Sequence, residues 1–388
     1  MKVLVTSRLY PSSAAPSRGT FVHEQARFVS AHCDLEIISP TPFSLPLPGF
    51  GRWSAYGKIG RIERRDGLAV CYPRYLSLPR RLLFSRAWRF YLSALKRANK
   101  FQPALIHAHL AYPDGLAAVE YGCELGCPVV ISVHGHDVRE LPEANPAWRS
   151  LITRALGQAA LVIASSGDVQ ERVRALGVDD ERIRFIPQGV DCTRFQIDNS
   201  RRAGENGWRL LYVGRFDVRK GIGVLLEAMQ LVRQHREDVR LQLVGGSPVS
   251  GTDADYRRQV EELGLAGYVE FIDEKPHGEM PGIMAKADIF VLPSFYDSFG
   301  IVLVEAMACG LPVVATRCGG PQDIVEEASG RLVAVGDAED MAAGILATLA
   351  DYERYDADVI RARVEQRYDY RRVAQRIYEV YEEALAAK

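Results

Sequence analysis

The sequence predicts an α/β fold of two units, each with its own doubly wound parallel sheet. Three observations lead there. Short apolar runs rich in Val, Ile and Leu alternate with longer helical stretches, as parallel strands covered on both faces by crossover helices do. A polar, glycine-bearing stretch breaks the alternation near the middle, after which it restarts. The length, 388 residues, suits two domains at roughly 100–200 residues each. With 47% apolar and 25% charged residues, either half can bury a full core, so a disordered tail and a collagen-like repeat are excluded. No run approaches the ~18 apolar residues of a membrane-spanning helix.

In chain order, the first unit opens with the strand KVLVTS from Lys2 and the helix GTFVHEQARFVSAH from Gly19. The strands DLEIIS from Asp34, LAVCY from Leu68, ALIHAH from Ala104 and PVVISV from Pro128 follow, then ALVIAS from Ala160 and RIRFIP from Arg182. Residues 188–207, QGVDCTRFQIDNSRRAGENG, are polar and carry three glycines, which reads as a linker. The second unit supplies WRLLYVG from Trp208, VRLQLVG from Val239, YVEFI from Tyr268, DIFVLPS from Asp288 and LPVVAT from Leu311. The stretch from about Arg363 to Ala387 is charged and helical in period. The expected domains are 1–190 and 208–362, joined by a linker over 191–207, with a terminal helix over 363–388 that packs back toward the first domain.

Seven cysteines is an odd count, no CxxC occurs, and Cys123 and Cys127 are badly spaced for zinc. Free thiols in a reducing cytoplasm are expected. The opening MKVLVTSRLYPSS lacks the apolar stretch and cleavage site of a secretory leader. Charge is uneven: residues 1–190 hold 24 Lys and Arg against 16 acids, a net of +8, and residues 191–388 hold 24 against 33, a net of −9. Such asymmetry suggests units facing different partners. Parallel sheets bind ligands beyond their strands' carboxyl ends. Two such sheets facing across a cleft would suit a reaction joining two substrates, one per domain.

Three stretches could carry chemistry. PSFYDSFGIVLVEAMACGLPVVAT from Pro293 reads as strand end, loop, helix, turn and strand. It sets Asp297 in the loop and Ser298, Phe299, Gly300 and Ile301 at a helix start, whose free N–H groups suit an anion. Glu305 lies one turn further in. LYVGRFDVRKGIGVLLEAM from Leu211 places Arg215 and Lys220 at a strand's carboxyl end, where two charge-assisted hydrogen bonds could hold a diphosphate and stabilise departing charge. Arg219 before Lys220 excludes a Walker loop, and no G-x-G-x-x-G follows a predicted strand, so a nicotinamide dehydrogenase loses its main support. His107 and His109 end one strand, and His134 and His136 follow another. These admit a metal site, a hydrogen bond from His134 to a ligand, or structural capping; no acidic cluster accompanies them, which weighs against metal.

These segments, with YPSSAAPSRGTFVHEQ from Tyr10, HAHLAYPDG from His107, SVHGHD from Ser132 and IPQGVD from Ile186, span nearly the whole chain. Their order and spacing resemble the retaining glycosyltransferases of family four, which have the GT-B fold: two Rossmann-like domains whose parallel sheets face across a cleft. The opening loop is similar to members that build bacterial cell-surface polysaccharides, teichuronic-acid-type enzymes among them. The resemblance implies an N-terminal domain for the acceptor and a C-terminal domain for a UDP- or GDP-sugar. It assigns Arg215 and Lys220 to the diphosphate, Glu305 to the ribose hydroxyls and Asp297 to the sugar hydroxyls. It assigns Ser298 and the backbone at Phe299–Ile301 to the phosphates, His134 to the sugar from the opposite domain, and Gly19 to the diphosphate and acceptor side. Two departures stand out: the family usually has Glu where Asp297 stands, and many members pair glycines where Gly19 stands alone.

Retention normally suggests a carboxylate nucleophile, and none is evident beyond Asp297 and Glu305. The resemblance implies front-face attack, with the leaving diphosphate taking the acceptor's proton and Arg215 and Lys220 replacing a metal. No metal or cofactor is expected; the strings at Asp253–Asp255 and Asp356–Asp358 read as solvated surface. Between Asp66 and Asp114 no acid occurs. Within that gap, residues 79–100 have helical period, with Phe84, Trp88, Tyr91, Leu95 and Ala98 on one face and Arg86, Arg89, Ser93, Lys96 and Lys100 toward the other. Such a helix either lies on an anionic membrane, on the inner face if so, or faces the core with its arginines snorkelling outward. A membrane-lying helix would imply a lipid-linked acceptor. Nucleic acid is not expected, because the aromatics do not interleave with the charges. A sugar-nucleotide epimerase and a catalytically silent sugar-nucleotide-binding protein are the rival readings.

Overall fold

The computed structural model describes residues 1–43, 55–77, 82–198, 204–205, 207–246 and 252–387, the side chains of 252 and 253 excepted. The chain forms two compact units: Met1–Gln188 with Tyr370–Lys388, and Gly189–Asp369.

The first unit holds an eight-stranded sheet. In chain order its strands are β1 (Lys2–Thr6), β2 (Asp34–Ile38), β4 (Ile62–Arg65), β5 (Leu68–Cys71), β7 (Leu105–His109), β8 (Val129–Val133), β9 (Leu161–Ala164) and β10 (Ile183–Phe185). A separate short pair, β3 (Thr41–Pro42) and β6 (Arg74–Tyr75), lies in the same unit. The sheet order is β10-β9-β8-β7-β1-β2-β5-β4. All neighbours run parallel except β4, which pairs antiparallel with β5. Every position of β7, β8 and β9 is buried, which is why these strands read as near-continuous apolar runs, broken only by His107, His109 and Ser132. The edge strand β4, IERR, does not read as one. It is pinned by the two-residue turn Asp66–Gly67, both residues at positive φ, 47° and 82°, a turn whose twist matches a hairpin.

The charged terminal segment is two helices, not one. Ala357–Arg367 belongs to the second unit, and after a break at Tyr368–Asp369 the helix Tyr370–Ala386 belongs to the first. The latter buries Tyr370, Val373, Ala374, Ile377, Val380, Tyr381 and Ala384, one stripe of a 3.6-residue period. Phe28 of the helix Thr20–Val29 stacks on Tyr370 at 5.3 Å. The basic helix is Ala87–Ala98, with Tyr91, Ala94 and Leu95 fully buried and Trp88, Leu92 and Ala98 packed on the core. Its apolar face therefore serves the protein interior and is not free to enter a membrane. Pro79, Arg80 and Arg81 lie outside the described residues.

The second unit is a six-stranded, wholly parallel sheet: β11 (Trp208–Val213), β12 (Val239–Val244), β13 (Val269–Ile272), β14 (Ile289–Leu292), β15 (Val313–Thr316) and β16 (Gly330–Val333). Its order is β13-β12-β11-β14-β15-β16. The described part of the stretch expected to be a linker differs from that reading. Cys192 and Phe195 are core residues, 4% and 1% exposed, and Arg361 Nη1 donates to the carbonyls of Phe195 and Ala308 at 2.6 Å while its Nη2 donates to Cys192 at 2.6 Å. A polar, glycine-bearing sequence hides this, because the packing comes from two apolar side chains and from carbonyls satisfied by a residue 166 positions away. Charge-assisted bonds are worth roughly 1.5–3 kcal/mol each and are not additive. Arg361→Met should therefore lower the stability of the second unit by about 2–4 kcal/mol, read as an earlier transition in urea unfolding. An unchanged midpoint would show that water replaces the guanidinium without loss.

Candidate functional site

In the second unit the strand order reverses between β11 and β14, and open α/β sheets bind ligands at the carboxyl ends flanking such a reversal. The two motifs singled out in the sequence leave from these two strands. Their loops touch through backbone. A Cβ on Gly221, at φ 67°, would sit 2.0 Å from the Pro293 carbonyl oxygen, and one on Gly320 would sit 2.3 Å from Phe299 Cα. The Phe295 N–H donates to the Arg219 carbonyl at 2.9 Å, the Asp297 N–H to the Cys318 carbonyl at 3.2 Å, and the Gly320 N–H to the Asp297 carbonyl at 2.9 Å. Loops after β11, β14 and β15 thus form one seam.

Lys220 and Asp297 meet along that seam. Lys220 Nζ donates to Asp297 Oδ2 at 2.7 Å, with side chains 21% and 16% exposed. Asp297 Oδ1 accepts from the Phe299 N–H at 3.3 Å. The ammonium has three donors, so two remain for an anion. Arg215 is exposed, and among the described residues its guanidinium has no hydrogen-bond or ion-pair partner. Arg219, its neighbour in sequence, is instead paired with Asp217 at 3.1 Å, and that pairing holds the Asp217 carboxyl below its usual range.

Gly300, at φ 93°, caps the helix Ile301–Ala308, and no side chain caps its N–H groups. Ser298 is half-buried beside it. The Phe299 side chain turns into the core, edge-on to Tyr368 at 6.0 Å, so this residue can offer a ligand only backbone. Glu305 is 5% exposed, and its Oε1 lies 2.7 Å from His277 Nε2. An ionised carboxylate only accepts, so His277 is the donor and holds Glu305 in place. Sequence reasoning missed His277, because nothing local ties a histidine after β13 to a glutamate 28 residues away.

In the first unit the strand order reverses between β1 and β7. Here Arg8 and Asp114 meet: the Arg8 N–H donates to Asp114 Oδ1 at 2.5 Å, and the Arg8 guanidinium Nε lies 3.5 Å from Oδ2. Tyr91 also donates to Oδ1 at 3.1 Å. Burial raises the Asp114 carboxyl to about 6 against the pull of Arg8. Neither residue stood out in the sequence; the β1/β7 reversal is the signal that finds them.

His134 follows β8 and is mostly buried. Burial lowers it to about 4, so the ring is neutral. Gln188 Nε2 donates to its Nδ1 at 3.1 Å, which leaves the ring proton on Nε2, 3.2 Å from His109 Nδ1. Both nitrogens are thus engaged within the unit, a departure from a ring waiting for a ligand. His107 bonds Tyr381 and Ser132 at 2.6 and 2.8 Å, the capping role. Asp137 receives the N–H groups of His134 and Ala111 at 3.0 and 2.7 Å. Gly19, at φ 71°, caps the first helix, and a Cβ there would sit 2.1 Å from the Leu9 carbonyl oxygen, so its missing side chain is required by loop packing alone.

All seven cysteines are unpaired. Among the described residues no three His, Cys, Asp or Glu side chains gather as a metal site. Asp356 caps the helix that follows it, and Asp255 pairs with Arg258 on the surface; the Asp253 side chain lies outside the described residues.

Residues 19–194 match the Glycosyltransferase Family 4 family, and residues 193–364 match Glycosyl transferases group 1. The chain is 29% identical over 360 residues to TuaC of Bacillus subtilis, a glycosyltransferase named for teichuronic acid biosynthesis, covering 89% of this chain and 88% of that one. It is 30% identical over 350 residues to a D-inositol 3-phosphate glycosyltransferase of an Arthrobacter species, covering 84% and 82%. Among solved structures it resembles sucrose-phosphate synthase from Thermosynechococcus elongatus (TM-score 0.81, 24% identity, 100% of both chains) and Anabaena HepE in complex with UDP (0.75, 21%, 98% and 99%). With two Rossmann-like parallel sheets and family matches running from residue 19 to 364, the chain belongs to the family-four glycosyltransferases of GT-B fold.

Proposed function

We propose that the protein is a retaining hexosyltransferase that moves a sugar from a UDP- or GDP-sugar to a saccharide or lipid-linked saccharide, in the synthesis of a cell-surface polysaccharide. The observation that carries the reading is the Lys220–Asp297 pair at the β11/β14 reversal, beside exposed Arg215 and an uncapped helix start. The naming of TuaC for teichuronic acid biosynthesis supports the product class, and the solution of HepE with UDP-glucose supports the donor class.

In this reading Arg215 and Lys220 take the diphosphate, the backbone at Phe299–Ile301 and Ser298 meet its phosphates, and Glu305, steadied by His277, takes the ribose hydroxyls. Asp297 accepts from a sugar hydroxyl. The bond from the sugar's anomeric carbon to the diphosphate breaks as the acceptor oxygen bonds that carbon on the same face. The acceptor's proton passes to the departing phosphate oxygen. Fixed cations at the leaving group act where charge develops, the condition under which electrostatic stabilisation accelerates a reaction. The first unit holds the acceptor, with Arg8 and Gly19 at the ends of its loops. His134 exchanges its Gln188 bond for a sugar hydroxyl.

A thermal-shift series across UDP-, GDP-, ADP- and TDP-sugars identifies the donor, since a ligand that binds only the folded state raises Tm by mass action; a shift with UDP- or GDP-sugars is expected, and silence across the series would sink the donor reading. Lys220→Ala should lower kcat by roughly 10²–10³-fold, the usual cost of one transition-state donor, with the fold intact. Wild-type turnover in that variant would refute the role. His134→Asn should lower kcat more than it raises KM. Because His134 stays neutral down to about pH 4, the wild-type rate should show no limb from this ring between about pH 6 and 8. A limb near pH 6.5 that vanishes in His134→Asn would overturn the neutral-ring assignment.

A further inference from the structure

The basic helix spends its apolar face on the core, yet a different face of the same region remains apolar and open. Phe43, Leu76, Leu82 and Leu83 are 57%, 46%, 64% and 48% exposed. They line two adjoining hollows that share Leu76 and Phe90. The first also holds Leu82, Leu83 and Phe84; the second, of about 380 Å³, holds Phe43, Arg74 and Arg97. On the helix Ala87–Ala98, positions 86, 90, 93 and 97 fall on one stripe at 100° per residue. Phe90, Ser93 and Arg97 therefore share the outward face that walls the second hollow, and Arg86, the residue before the helix, starts the same stripe.

The stretch of chain that carries Leu76, Leu82, Leu83 and the helix has charge of one sign. No acidic residue occurs between Asp66 and Asp114. Arg86, Arg89 and Lys100 are exposed, and among the described residues they have no ion-pair partner. Among the described residues, Arg97 reaches only neutral groups, the Ser93 hydroxyl at 2.7 Å and the Arg74 carbonyl at 3.0 Å. Among the described residues, Lys96 alone on this helix is ion-paired, with Glu124. Four large exposed apolar side chains in adjoining hollows that Arg74 and Arg97 also line disfavour a purely aqueous surface, because single exposed leucines are ordinary but contiguous ones mark an interaction site.

We infer that this face docks the chain on an anionic phospholipid bilayer, with Leu82, Leu83, Leu76 and Phe43 entering the interface and Arg86, Arg89 and Arg97 meeting the phosphate headgroups. Apolar insertion joined to basic residues is the pairing that anchors a protein lying on, not across, a membrane. The inference rests on the transferase reading only for its purpose: it would bring the acceptor unit to a lipid-linked saccharide.

The test is sedimentation of the full chain with vesicles, without donor or acceptor, so its outcome is separate from that of the transfer assays. The chain should sediment with phosphatidylcholine vesicles containing phosphatidylglycerol and stay in solution with phosphatidylcholine alone, and added salt should release it. L82D with L83D should weaken binding by roughly tenfold or more, and R86E with R89E by about thirtyfold, with unchanged circular dichroism because all four side chains are exposed. Failure to sediment with anionic vesicles, equal binding to neutral ones, or wild-type binding by both double variants would overturn it.

Discussion

The second unit depends on the close approach of backbones at the carboxyl ends of β11, β12, β14 and β15. Three glycines permit it. Besides Gly221 and Gly320, a Cβ on Gly245 would sit 1.8 Å from the Gly214 carbonyl oxygen. No side chain fits at such distances, so the loops can share hydrogen bonds only where glycine stands. Once the loops are joined, Lys220 and Asp297, 77 positions apart, are delivered to one spot. An ion pair this buried gives up in desolvation much of what it gains in attraction, so it is weak evidence for a stabilising role. The placement of opposite charges at a sheet's reversal point is therefore better accounted for by ligand binding than by folding.

The first unit solves a different problem. It carries three histidines at the ends of β7 and β8, and burial keeps all of them neutral. A neutral imidazole is one donor and one acceptor, so a buried ring needs one of each. Tyr381 and Ser132 meet that need for His107, and Gln188 and His109 meet it for His134. The partner of His107 comes from the terminal helix, which ties the last residues of the chain to a central strand. The sign of the linkage follows. These pKa values lie below the ordinary 6.5, so the stability they carry is present above about pH 6.5 and is lost progressively as pH falls toward 4.

The parallel sheets were legible because strands buried on both faces leave little room for polar residues, and β7, β8, β9, β14 and β15 are buried throughout. The edges were not. Three of the four residues of β4 are charged and none of the four is buried, so its local signal was the Asp66–Gly67 turn. Cys192 and Phe195 looked like linker residues because their surroundings come from a helix far along the chain. At the site, Asp297, Glu305, Arg215 and Lys220 were legible from their position after apolar strands. His277, Gln188 and the Arg8–Asp114 pair were not, since each acts through a partner that only the fold brings near. The basic helix was half legible: its period was plain, but which face meets the core and which meets solvent depends on neighbours that a single helix does not encode.

The shorter acid at 297 has a physical consequence. The resemblance implies Glu at this position, and Asp lacks one methylene, about 1.5 Å of reach. Here both carboxylate oxygens are also turned back on the loop, Oδ2 to Lys220 and Oδ1 to the Phe299 N–H. A carboxylate so held can meet a sugar hydroxyl only at the seam itself, close to the ammonium that would grip the diphosphate. Under the proposed function, the shortened side chain would couple sugar recognition to phosphate binding: a ligand that draws Lys220 away frees the same Oδ2 that a hydroxyl needs. Under the proposed function, a free sugar, which leaves the ion pair intact, would find that oxygen already occupied, whereas a nucleotide sugar would open the site with one end and fill it with the other.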